Sequence, residues 1–350
     1  MRDSNASASN QAKLGDPVGK TISADDAAPG AATAAAKEVS TGKSAERIAT
    51  SAVGGAADKP RSYEKYWDMP LGGTSTEQHI PRGFARVIVR IVSVLCKILF
   101  RYRVDNRENL SAFKDKTGVV VVCNHTSFLD VVFIYMSVWP EMWPRLIARN
   151  TLFDGKPFPF GWALSRVGAF PIKRDTADRT AIKRATKMLK NNEVVCILPE
   201  GTRRGKGSKT PQIHGGAALI ARMGRAPIVP MTVRDAENVK QKGKFIRFPK
   251  ITTELGDPIE LEDFNFLPKQ DRLDGCMWYA MRECFALSKR IPADQVDMNE
   301  LFPGSKDFSE VFKEHPVVRH TTSELVAKLD GKAAAKRIDS ASEAPAKEGA

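Results

Sequence analysis

The valines at 119–122 are apolar and β-branched on both faces of an extended chain, so they predict a short strand buried in the middle of a sheet. The run stops at a polar corner, 124–127. It resumes from 128 to 138 at helical length, with Ser127 placed to cap that helix and Asp130 three residues on. The same design recurs downstream, where the apolar run 194–198 meets Pro199, Glu200, Gly201, Thr202 and Arg203. Residues 145–148 and 168–174 read as strands. Residues 176–190 read as a helix with Arg179, Lys183, Lys187 and Lys190 along one solvated face. Further on, 214–223 reads as a helix, 226–233 as a strand interrupted by Pro227 and Pro230, 244–261 as two short strands, and 272–290 as a last amphipathic helix. Strands alternating with helices predict an α/β fold, a single domain with a mixed, largely parallel sheet flanked by helices.

A different pattern precedes that alternation. Over 81–103, Arg82, Arg86, Arg90, Ser93, Lys97 and Arg101 fall within about 100° of a helical wheel. Val87, Ile88, Ile91, Val92, Val94, Leu95, Ile98 and Leu99 fill the opposite side, with Val89 and Phe100 at the border of the polar sector. Twenty or so residues reach roughly 30 Å, long enough to cross a bilayer. Arg90 and Lys97 oppose that, since each costs roughly 2.5 to 3.5 kcal/mol near a bilayer centre. A helix lying in the membrane plane with its bases toward anionic head groups avoids the cost, and a core helix with a solvated stripe is the alternative. Ahead of it stand Tyr63, Tyr66 and Trp67, suited to a lipid interface or to packing on the domain, and a Pro/Gly linker at 70–73.

Composition sets the limits of the folded part. Residues 1–60 and 330–350 are rich in Ala, Ser, Gly, Asp and Lys without apolar periodicity, which predicts two disordered tails. Between them the sequence divides into an amphipathic membrane-associating segment at 61–104, a main domain at 105–295 and a C-terminal extension at 296–329. The net charge is +13, and acids and bases balance in the first tail, so the excess belongs to the folded part and calls for an anionic partner. No nucleic-acid motif accompanies the charge, although a basic membrane-binding or nucleic-acid-binding module without catalysis stays open at this point. Five cysteines with no metal-site spacing read as buried free thiols in a reducing compartment. The first residues lack the apolar core of a secretory signal, so the expected location is the cytoplasmic side of a membrane, peripheral or monotopic. No metal is expected, because five scattered histidines include no HExxH.

The two polar corners carry the chemistry. His125 lies at the carboxyl end of a strand, where open α/β sheets place ligands. Asp130, in the first turn of the next helix, leans back toward it. A carboxylate so placed fixes the imidazole tautomer and leaves the other nitrogen to take a proton from a hydroxyl; a loop histidine that only helps cap the helix is the plainer alternative. Residues 201–206 imitate a nucleotide-binding loop, but the spacing is one residue short and Gly207 follows Lys206, so that reading fails.

Four separated pieces stand in order: NHTSFLD at 124–130, GAFPIKR at 168–174, PEGTR at 199–203 and APIVPM at 226–231. Together they resemble the four blocks of the glycerolipid acyltransferase family, specifically its 1-acylglycerol-3-phosphate O-acyltransferases, over roughly 110–235. The resemblance implies that His125 is a general base with Asp130 its partner. It also implies that Arg174, Glu200, Gly201, Thr202 and Arg203 bind the acceptor's phosphate, with Pro230 structural or related to the acyl donor. The implied acceptor is lysophosphatidate, and the co-substrate an acyl-CoA or acyl carrier protein thioester, with no cofactor. Another lysolipid, glycerol phosphate, or water in a thioesterase are alternative acceptors. Leu198, where the third block often has an aromatic residue, and Pro171 inside the second depart from the pattern. The aromatic stretch with Trp139, Trp143, Phe153, Phe158, Phe160 and Trp162 fits either an acyl-chain channel or ordinary core.

Overall fold

A computed structural model of the chain describes residues 61–154, 160–173, 178–201, 203, 210–241, 243 and 245–342. The described residues lie in one compact unit. Its strands are β1 (Arg103–Asp105), β2 (Val119–Cys123), β3 (Pro144–Arg149), β4 (Phe170–Ile172), β5 (Val194–Ile197), β6 (Ile228–Arg234) and β7 (Thr252–Leu255). The helices are α1 (Arg82–Phe100), α2 (Glu108–Ser111), α3 (Asp130–Val138), α4 (Phe160–Arg166), α5 (Arg179–Lys190), α6 (Gly216–Gly224), α7 (Arg272–Lys289), α8 (Met298–Leu301), α9 (Ser309–Glu314) and α10 (Thr322–Ser342).

The strands form one mixed sheet in the order β1-β7-β6-β2-β5-β3-β4, parallel throughout except for the antiparallel β6–β7 pair. β2 sits in the middle, and its side chains show why a run of valines is needed there. Val120 and Val122 point into a core shared with α5, α6 and α7, whereas Val119 and Val121 point into a second core with α3. Alternate side chains of a strand face opposite sides, so a strand covered on both must be apolar at every position.

Pro230 lies inside β6 rather than interrupting it. Its carbonyl accepts from the Gly256 amide on the β7 side at 2.8 Å. The N–H that proline lacks would point the same way, at the end of the β6–β7 ladder, so pairing with β2 loses nothing. Of the two strands expected in 244–261, only β7 forms among the described residues. Ile259 contributes an isolated bridge to Ile228 instead. α3 begins at Asp130, two residues later than the apolar pattern indicates, and Ser127 is not its N-cap.

Three expectations outside the sheet change. Residues 70–73 are no linker. Leu71 is fully buried, and the Leu71 and Gly72 amides donate to Glu193 Oε1 at 2.6 and 2.7 Å. Arg145, also fully buried, donates to the Met69 carbonyl at 2.7 Å and lies 3.5 Å from the same carboxylate. A buried ion pair therefore straps this segment to β3 and to the residue before β5. Gly73 is required, since its φ is +72° and a Cβ would meet the Asn191 carbonyl at 1.6 Å.

The aromatic cluster packs on the domain: Trp67 Nε1 donates to Ser165 Oγ at 2.9 Å and Tyr63 donates to the Phe153 carbonyl at 2.9 Å. Phe153 is buried, Trp162 packs edge-on against Phe84, and Phe158 lies outside the described residues. At the other end, α10 continues through Ser342 where composition predicts a tail from 330. Ala and Lys lower the cost of helix as readily as they weaken a core. Residues 1–60 and 343–350 lie outside the described residues.

α1 forms over the predicted span, but the side facing the protein is the narrow one. Ala85, Val89 and Cys96 are its buried residues, and Val89 had stood at the border of the polar sector. The broad apolar side, with Val87, Ile91, Val94, Leu95 and Ile98, is exposed, Ile98 to 70%. No helix among the described residues is long and apolar enough to cross a membrane. Phe302, Phe308 and Phe312, from the 296–329 segment, join the core around α7.

Candidate active site

β2 and β5 are neighbouring parallel strands, so the corners that follow them open at the same edge of the sheet. Asn124, directly after β2, is a buried anchor, its side-chain oxygen accepting from Thr232 Oγ1 of β6 at 2.9 Å. The chain then turns, and His125, Thr126 and Ser127 present their backbone amides in sequence. Each meets a carboxylate. The His125 amide donates to Glu200 Oε1 at 2.9 Å, and the Thr126 and Ser127 amides both donate to Asp130 Oδ2 at 2.8 Å.

The same Asp130 oxygen lies 3.0 Å from His125 Nδ1. The Asp130 oxygen is an acceptor for two amides, and with the ring's Nδ1–H as the third donor the free Nε2 is left as the nitrogen that can take a proton. The Asp130 side chain is 1% exposed and that of His125 15%, a geometry that keeps the carboxylate dry and lets the ring meet a ligand. Asp130 is also the first residue of α3, where the helix amides favour negative charge. The expected His125–Asp130 pair is thus formed, with the carboxylate holding the ring and its backbone together.

The third-block residues divide. Glu200 is buried and turned to the loop that carries His125, whose amide it accepts. Gly201 closes a tight turn, its amide donating to the Leu198 carbonyl at 3.1 Å with φ at +65°, a conformation that favours glycine. Arg203 follows half-buried. β4 ends at Ile172 in the same direction as β2, three strand spacings away, or roughly 14 Å. Arg174 and Thr202 lie outside the described residues.

Sequence reasoning missed the Glu200 clamp. The available signal was its place directly after a buried strand, where an acid must find donors. It also missed Thr232 and the Thr126 hydroxyl contact to Glu237 at 3.4 Å, neither of which has a readable spacing.

Two other clusters differ in kind. An open cavity of about 930 Å³ beside α7 and β1 is lined by interleaved charges, including Arg234, Glu254, Arg282, Glu283 and Arg319. Its arginines are largely paired with its own acids, so it reads as an ion-pair lattice. Glu260, Asp263 and His320 could together offer three ligand atoms to a metal. The Lys328 ammonium already bonds Glu260, and His320 Nε2 lies 3.0 Å from both Asp263 oxygens.

The family model described as Acyltransferase matches residues 101–234. A 1-acyl-sn-glycerol-3-phosphate acyltransferase of Bacillus subtilis is 32% identical over 199 residues, covering 57% of this chain and 90% of that protein. The human 1-acyl-sn-glycerol-3-phosphate acyltransferase beta is 30% identical over 179 residues, 50% of this chain and 62% of that protein. Among solved structures, that of a 1-acyl-sn-glycerophosphate acyltransferase from Thermotoga maritima aligns with a TM-score of 0.42 at 21% identity, covering 58% of this chain and 81% of that one.

Proposed function

The chain belongs to the 1-acyl-sn-glycerol-3-phosphate acyltransferase family, and from that premise we propose that it transfers an acyl group from a thioester to the free hydroxyl of lysophosphatidate, forming phosphatidate. The observation that carries the mechanism is the 3.0 Å contact of His125 Nδ1 with an Asp130 oxygen that also takes two backbone amides. His125 Nε2 accepts the hydroxyl proton as the oxygen attacks the thioester carbonyl, and Asp130 stabilises the imidazolium so formed. Collapse breaks the C–S bond, and the imidazolium returns its proton to the departing thiolate. General-base assistance of this kind contributes about 10² to 10⁴ in rate.

Arg203, at the neighbouring corner, and Arg174 are assigned to the acceptor's phosphate, for which forked guanidinium donors are suited. The donor is a thioester of coenzyme A or of acyl carrier protein. An enzyme whose acceptor is a lipid works at an interface. The exposed apolar side of α1, flanked by the exposed bases Arg86, Arg90 and Lys97, supports peripheral binding to an anionic membrane, on its cytoplasmic face.

Purified full-length protein given lysophosphatidate and an acyl thioester is expected to yield phosphatidate and free thiol in equal amounts. His125→Ala is expected to lower turnover by about 10² to 10⁴ with an unchanged circular dichroism spectrum. Near-normal turnover by that variant would remove the histidine from the chemistry.

A further inference from the structure

The segment between β6 and β7 carries apolar side chains that remain largely exposed. Phe245 is 94% exposed, Ile246 60% and Phe248 50%. Single exposed apolar residues are ordinary, but three within four positions form a patch of the kind that meets a partner. Lys240, Arg247 and Lys250 are exposed around them, and no acid occurs from 239 to 250.

The loop is held in place. The Arg247 amide donates to the carbonyl of buried Val239 at 2.9 Å and closes its stem. One side is tied to the end of α1: the Phe100 and Phe248 rings lie 5.5 Å apart and Arg101 donates to the Phe248 carbonyl at 3.3 Å. On the other side Glu237, two residues before Val239, accepts from Thr126, the neighbour of His125.

We propose that residues 245–250, between β6 and β7, are a second membrane-contact element, in which Phe245 and Ile246 enter the headgroup layer of an anionic bilayer while Arg247 and Lys250 face its phosphates. This rests on α1 being interfacial and extends that reading from the helix to the catalytic corner. An acidic carrier protein would also be drawn to the bases. The apolar tip, joined to the helix that exposes Val94, Leu95 and Ile98, favours lipid. With both anchors seated, the loop next to His125 is held at the height of the lipid head groups, where the acceptor hydroxyl lies.

The test uses full-length protein and phosphatidylcholine vesicles containing phosphatidylglycerol. Withdrawing one buried aromatic side chain from lipid weakens partitioning roughly tenfold or more, and each base near an anionic surface contributes roughly fivefold. Phe245→Ser with Ile246→Ser is therefore expected to weaken co-sedimentation by more than about tenfold, and Ile91→Ser with Ile98→Ser to weaken it through α1. All five native cysteines are buried, so Phe245→Cys accepts an environment-sensitive fluorophore selectively. Its emission is expected to shift to the blue on vesicles and to be quenched by brominated acyl chains.

A loop variant that binds vesicles like wild type while the α1 variant is weakened would overturn the proposal and leave the α1 reading intact. An unquenched fluorophore would do the same. So would normal vesicle binding with selective loss of turnover on a carrier-protein thioester, the mark of a protein-docking loop. Wild-type protein that ignores vesicles would overturn both readings.

Discussion

Glu200 can be tested by a pair of substitutions that separate its oxygen from its charge. In the wild type the His125 amide donates to a buried carboxylate at 2.9 Å, a bond to a charged group worth about 1.5 to 3 kcal/mol. Glu200→Gln keeps an oxygen at the same reach and leaves a neutral bond of about 0.5 to 1.5 kcal/mol. The difference of about 1 kcal/mol corresponds to roughly a fivefold loss in kcat/KM if all of it is felt at the transition state. Glu200→Ala leaves the amide buried without an acceptor, at a cost of about 1 to 3 kcal/mol in stability. It also frees the backbone that carries the base, and misplacing a catalytic group by about 1 Å costs about 10² in rate. The assay is kcat/KM for lysophosphatidate with an acyl thioester, with the melting temperature measured alongside. The expected order is wild type, then Gln lower by roughly fivefold, then Ala lower by about 10². If Gln were as damaged as Ala, the charge and not the hydrogen bond would matter; if Ala stayed within about twofold of wild type, the clamp would be irrelevant to position.

Two further outcomes follow from the fold. Glu193→Ala strips fully buried Arg145 of its carboxylate and the Leu71 and Gly72 amides of their acceptor. It should cost about 3 to 5 kcal/mol and lower the melting temperature by on the order of 10 °C in calorimetry, whereas a shift under about 2 °C would deny that the strap is structural. Asp178 caps α5 through the Ala181 amide, so Asp178→Ala should cost about 1 kcal/mol in urea melts at neutral pH. Burial raises the Asp178 carboxyl while the Lys173, Ala181 and Thr180 amides lower it by more, leaving it below its ordinary 3.8. A folded value below the unfolded one means the stabilisation is present above about pH 4 and is lost as the pH falls through the folded value. The difference between variant and wild type should therefore close in acid, and a gap independent of pH would refute the assignment.

The central sheet was legible because the residues of β2 and β5 are apolar at every position, which only a strand covered on both faces requires. The His125–Asp130 contact was legible through spacing, since a helix's first turn reaches back by a fixed distance. Glu193 and Arg145 were not, because a buried ion pair has the same letters as a solvated one and their partners are 48 positions apart in the chain. α1 was half legible. The wheel separates bases from bulky apolar residues, yet the domain takes only Ala85, Val89 and Cys96, small enough for close approach. Hydrophobicity counts say which side avoids water and are silent on what covers it. α10 was misread for a related reason: a segment too polar to build a core still forms a helix when its residues have high propensity and its first turns are docked, as Leu325 is.

A short polar loop after a central strand has nothing of its own to hold it, and a general base displaced by an ångström is a poor one. Here three consecutive amides, those of His125, Thr126 and Ser127, are each taken by a carboxylate. One acid comes from the helix that follows the loop and the other from the adjacent strand end, so the loop is fixed from two independent elements. The same Asp130 oxygen also fixes the imidazole, so ring orientation and backbone position cannot drift apart. Such an arrangement places its order in the free protein, before any lipid arrives, and that is the condition under which a hydrogen-bonded base contributes its full rate advantage. It also accounts for two acids at a corner to which we assign an anionic acceptor. Both acids are buried, and Glu200 Oε1 and Asp130 Oδ2 are turned inward to amides and the ring.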